Sequence, residues 1–83
     1  MKYAEALIPV FGEDVVKKMF SRPCAVRDEG LKECEEIIKN NGNDQSVFQG
    51  GLSAASQAMD DKIAQIVSRG LQIMTTTLNS AQT

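Results

Sequence analysis

The sequence predicts an all-α protein, read as an α-solenoid fragment of two helical hairpins with four to five helices. Three observations predict it. Gly30-Leu31 returns as Gly70-Leu71, and at the same forty-residue offset Met19 meets Met59, Arg22 meets Lys62, Val26 meets Ile66, Cys34 meets Met74 and Ile38 meets Leu78. Apolar residues recur at helical spacing in each segment between turn signals. The run Asn40-Asn41-Gly42-Asn43-Asp44 separates the halves, so one 1–83 module divides into repeats at about 1–40 and 44–80.

Tyr3 to Ile8 has helical composition, and Pro9 is expected to break or kink it before Gly12. In the next segment Val15, Val16, Met19 and Phe20 share one face, with Glu13 and Asp14 at the favourable N-terminal end. Ser21-Arg22-Pro23 stops this helix, because proline disfavours helical geometry at the residue before it and suits the first turn of the next helix. From Pro23 to about Lys39, Val26, Gly30, Leu31, Cys34, Ile37 and Ile38 fall within an arc of roughly 140°. Asp28 and most other charges take the opposite side. Arg27 projects into the apolar arc, as a snorkelling or carboxylate-paired arginine would.

In the 40–44 loop, Gly42 or an asparagine suits the left-handed conformation that ends a helix, and Asn43 or Asp44 can cap the next. That helix should run from about Gln45 to Met59, with Val47, Phe48, Gly51, Leu52, Ala55, Ala58 and Met59 on one face. Gly50-Gly51 weakens it intrinsically, which a tight crossing against a neighbour would offset. Asp60-Asp61-Lys62 makes a turn, with an aspartate capping a last helix to about Leu78. Its apolar residues span nearly half the circumference, so part of that face should stay exposed on a two-hairpin piece. Gly30, Gly70, Leu31 and Leu71 are all assigned to the inward side. Leu78 to Thr83 reads as a frayed end.

The composition narrows the chemistry. Nine basic and eleven acidic residues give a net charge of −2, without overall attraction for nucleic acid or an anionic membrane. There is no long apolar run, and the reading is a cytosolic chain. Cys24 and Cys34 lie about 15 Å apart along one predicted helix, beyond disulfide reach, so both are expected as free thiols. Without histidine or a CxxC spacing, neither a zinc site nor a Cys-His nucleophile is expected. The carboxylate pairs Glu35-Glu36 and Asp60-Asp61 are read as solvated faces and caps outside any pocket, and Gly50-Gly51 lacks a phosphate-loop pattern. No enzyme activity, cofactor or small-molecule substrate is expected.

A period of about forty residues with two helices per unit is the range of HEAT and armadillo arrays. Two units are fewer than the three or more such arrays need, which predicts further repeats outside residues 1–83. Phe11 to Val16, Met19-Phe20-Ser21-Arg22-Pro23-Cys24 and Val26 to Leu31 together resemble the opening repeat of tubulin-binding TOG domains, most closely that of the centrosomal and ciliary-tip family. Leu52 to Leu71 is similar to the next repeat. The resemblance implies a non-catalytic protein-binding module with tubulin as partner, in the cytoplasm at the cytoskeleton, cilium or centrosome. It implies that the turns within the helix pairs form the binding edge, which assigns Arg22, Pro23, Cys24, Asp61 and Lys62 to it; independently of the family, Arg22 and Lys62 on equivalent turns, with Lys18 nearby, make that edge one that could meet an acidic surface. The family's tryptophan position is Cys24 here, and its alanine before leucine is Gly30. If tubulin is not bound, the resemblance leaves a generic scaffold or a self-associating helical module.

Overall fold

A computed structural model describes residues 2–41 and 44–81, which form α1 (Lys2–Phe11), α2 (Glu13–Met19), α3 (Cys24–Asn41), α4 (Gln45–Met59) and α5 (Ala64–Ala81). No strand occurs among the described residues. The all-α expectation holds, with α4 at its expected bounds. The Gly42 and Asn43 assignments lie outside the described residues, but Asp44 caps α4, its carboxylate accepting from the Ser46 amide at 2.8 Å.

Two boundaries differ from expectation. Pro9 lies inside α1 instead of ending it. It removes only the bond to the Glu5 carbonyl, and both residues are exposed, so water can serve that carbonyl. The break falls at Gly12, whose φ of 94° is left-handed space that favours glycine. At the other end Leu78 to Ala81 is helical rather than frayed.

The repeat is visible in the backbone. α2 ends at Met19 and α4 at Met59; α3 begins at Cys24 and α5 at Ala64; α3 ends at Asn41 and α5 at Ala81. The crossings repeat as well. A Cβ on Gly30 would lie 2.6 Å from the Met19 backbone nitrogen, and one on Gly70 would lie 2.9 Å from that of Met59. Glycine at these positions lets the second helix of each pair approach the end of the first. In the second pair Gly70 meets Met59 while Gly51 meets Thr77, so α4 and α5 run antiparallel. Asp28 pairs with Arg69 and Glu35 with Thr76, both forty-one residues apart, so α3 and α5 run parallel.

The core lies between these helices. Leu31, Cys34 and Ile38 of α3 are buried, as are Ala54, Ala55 and Ala58 of α4 and Ile66 and Ile73 of α5. Small alanines and the Gly50-Gly51 pair admit bulky neighbours: Gly50 faces Val10 and Phe11, and Gly51 faces Ile38 and Thr77. The buried Thr77 hydroxyl donates to the Ile73 carbonyl at 2.7 Å, which satisfies it locally.

Two burial assignments are corrected. Leu71 is 55% exposed while Leu31 is 3% exposed, because α4 and α5 cover the α3 leucine and no described element covers the α5 one. Asp28, expected on the solvated side, is buried. Its carboxylate takes Arg69 Nε at 2.9 Å, and Arg69 also lies 3.9 Å from Glu35, whose other oxygen accepts from the Thr76 hydroxyl. This polar strip ties α3 to α5.

Candidate binding edge

The two turns that follow α2 and α4 come together around one groove of about 540 Å³. Its floor is apolar, with Met19 and Leu31 on one side and Ala54, Ala58 and Ile66 on the other. Phe20 and Ile63 extend that surface toward solvent, while Arg22, Asp60, Asp61 and Lys62 line it from the turns.

The forty-residue offset brings the turns together. Because α3 and α5 run parallel, residues 20–23 and 60–63 fall on one edge. Arg27 fixes their relation: its guanidinium donates to the Ser21 and Arg22 carbonyls and reaches across to Asp61, with Nε 3.0 Å from Oδ2. That Nε–H is not aligned for a hydrogen bond, and the bond to Asp61 is made by the terminal nitrogen at 3.3 Å. Asp61 also accepts from the Ile63 amide at 2.9 Å, which closes the turn that leads into α5. The expected carboxylate-paired arginine is therefore present, and its partner is on the other turn.

The sequence-assigned edge residues divide. Arg22, Asp61 and Lys62 line the groove; Arg22 and Lys62 are exposed, and Asp61 is taken by Arg27. Pro23 and Cys24 flank the turn without lining the groove; Pro23 is exposed and Cys24 half-buried, and the Pro23 carbonyl accepts from the Val26 and Arg27 amides. Lys18 is not on the edge. Its ammonium lies 2.6 Å from Glu33 and 3.6 Å from Glu29, and the Glu33 hydrogen bond raises its pKa above the ordinary lysine value. Lys17 is likewise paired, with Glu13 at 3.2 Å.

Asp60 and Asp61 do enter a pocket, contrary to expectation, because the first hairpin closes over the second turn. Both cysteines are free. Burial pushes the Cys34 thiol up to about 12, which suits a core residue rather than a nucleophile. No group of three or more metal-ligating side chains gathers among the described residues. No helix there is long and apolar enough to cross a membrane.

Sequence reasoning missed the apolar floor. Its signal was the spacing of Ala54, Ala58 and Ile66, small or branched residues that leave room beside Phe20. Comparison with known protein families, curated proteins and solved structures gives no match for this chain.

Proposed function

We propose that the protein is a non-catalytic protein-binding module in which two HEAT-like hairpins stack as part of an α-solenoid, with the turn edge as its binding site. The observation that carries this reading is the single groove shared by both turns, with Arg22 and Lys62 exposed at its rim over an apolar floor. Such a site suits an acidic protein surface that also offers an apolar side chain. Tubulin is the acidic partner that the TOG resemblance implies, with a cytoskeletal, ciliary or centrosomal setting. Cys24 in place of the family's tryptophan removes one aromatic anchor, and Phe20 at the groove supplies aromatic surface nearby.

A catalytic reading finds less support at this site. Asp61, one of the two groove carboxylates, is held by Arg27 and by the Ile63 amide, so it does not point freely at a ligand.

Co-sedimentation with microtubules and gel filtration with soluble tubulin test the proposal. Binding is expected, and Arg22→Glu with Lys62→Glu should abolish it without changing the unfolding midpoint. No binding by the wild-type chain overturns tubulin as partner. Binding that survives the double reversal overturns the edge.

A further inference from the structure

At the groove a charged pair crosses from the first hairpin to the second, and the repeat does not account for it. Arg27 sits within the apolar arc of α3, where the equivalent place forty residues on is taken by Val67. Asp61 sits in the second turn, where the equivalent place forty residues earlier is taken by Ser21. The fold therefore accepts a branched apolar residue at one position and a small hydroxyl at the other. An arginine and an aspartate there bring two charges largely out of water, with side chains 18% and 17% exposed, and such pairs commonly add little to stability. What this pair adds is geometry.

One terminal nitrogen of the Arg27 guanidinium donates to the Ser21 and Arg22 carbonyls, and the other donates to Asp61 Oδ1. The same Asp61 oxygen accepts from the Ile63 amide. A single planar group thus fixes the backbone of the first turn against a carboxylate that fixes the backbone of the second. The rigid fork of an arginine can hold that set of directions, whereas the point charge of a lysine cannot. The anchored backbone carries Arg22 directly and lies next to Lys62, the two exposed cations of the rim.

We propose that Arg27 and Asp61 form a latch that preorganises the turn edge, acting through the turns they hold and not by touching the partner. The proposal rests on the turn edge being the binding site, and it makes Asp61 a positioning residue. The opposite charges of the pair offset each other at close range, which leaves Arg22 and Lys62 to meet an acidic surface. Turns held together in the free chain lower the ordering cost of association. The pair acts as a unit, because Arg27 without Asp61 secures only the first turn and Asp61 without Arg27 only the second.

Nitrogen-15 relaxation of the free chain and binding of soluble tubulin test the latch. Arg27→Val and Asp61→Ser give each position the residue of its repeat equivalent, and together they leave no unpaired charge. The double variant should keep the unfolding midpoint within about 5 °C of wild type. Its amide order parameters at residues 20–22 and 60–62 should fall well below the rigid value of about 0.85, while those within α3 and α5 stay there. Each single variant should weaken tubulin binding about tenfold, and the double should lose no more than the worse single, as coupled residues do. Asp61→Ser separates the roles by sign: an aspartate in contact repels an acidic partner, so its removal would tighten binding, whereas removal of a latch weakens it. Should the double variant fail to fold, Arg27→Lys decides, since loosened turns in a folded chain support the latch and wild-type order overturns it. Turns as ordered in the double variant as in wild type, tighter binding by Asp61→Ser, or losses that add in the double would each overturn the proposal. A wild-type chain that does not bind tubulin overturns that partner alone, and the order of the turns in the free chain then decides the latch.

Discussion

The two hairpins share their crossing glycines and all their helix boundaries but the start of the first helix, Glu13 in one and Gln45 in the other, yet they differ in what the leucine after the glycine does. Leu31 is sealed by the other hairpin and Leu71 faces out. The difference is therefore one of neighbours, since the local geometry at Gly30 and Gly70 is the same to within tenths of an ångström. It also separates the chemistry. The first hairpin carries most of the charge and spends it on pairs such as Lys18–Glu33, while the second is nearly neutral and spends its one α5 cation on Asp28. Equivalent backbone positions have thus been given opposite surfaces, one closed and one open.

The largest expected effect lies in the leucine pair. Leu31→Ala should cost about 2–5 kcal/mol through lost burial and a cavity, while Leu71→Ala in dilute, monomeric protein should stay within about 0.5 kcal/mol. Urea unfolding followed by circular dichroism reads both, and equal costs would break the comparison. Next comes Asp28→Ser, which gives the first hairpin the residue found forty positions on and leaves Arg69 without its main partner. A loss of about 2 kcal/mol is expected, less than for a fully buried pair because the Arg69 and Asp28 side chains remain 20% and 11% exposed. Chemical denaturation measures it, and a neutral result would mean that the strip between α3 and α5 adds nothing.

Smaller effects sharpen the same contrast. Gly30→Ala places a methyl against the Met19 backbone, and overpacking of about 1–3 kcal/mol is partly offset by the roughly 1 kcal/mol gained in helix propensity. Gly70→Ala should cost less, because the gap there is 2.9 Å rather than 2.6 Å and one neighbour is the flexible Met59 side chain. Thermal melts of the two variants should rank them in that order. Arg22→Glu with Lys62→Glu should shift stability by no more than about 0.5 kcal/mol, as exposed positions do. Finally, thiol titration at pH 8 should label Cys24 alone in the folded chain and both cysteines in denaturant, because Cys34 belongs to the covered stripe and its pKa is near 12.

Much of this fold could be read in advance, because helix limits are set by local chemistry. Pro23 before α3, the Asp44 cap and the Asp60–Lys62 turn mark their boundaries within a few residues. Gly50-Gly51 announced a close approach, which Ile38 and Val10 supply. Readings that depended on distant partners failed. Asp28 looks solvated on a helical wheel, since Arg69 lies forty-one residues away on another hairpin. Lys18 looked like part of the edge until Glu33 and Glu29 claimed it. Leu71 has the phase of a core residue and lacks only a neighbour. The edge itself was legible from the Arg22–Lys62 offset, but its apolar floor was not, because that floor exists only once the α3 stripe settles beside Ala54 and Ala58.

The central claim is that one hairpin stacks on the other with the α3 stripe covered. Nuclear Overhauser contacts within the chain test it most directly. The account predicts cross-peaks from the Ile38 δ methyl to the Gly51 α protons and from Phe11 to Gly50, alongside the Gly30–Met19 and Gly70–Met59 contacts inside the hairpins. The last two without the first two would mean two hairpins that form but do not stack, and would contradict it.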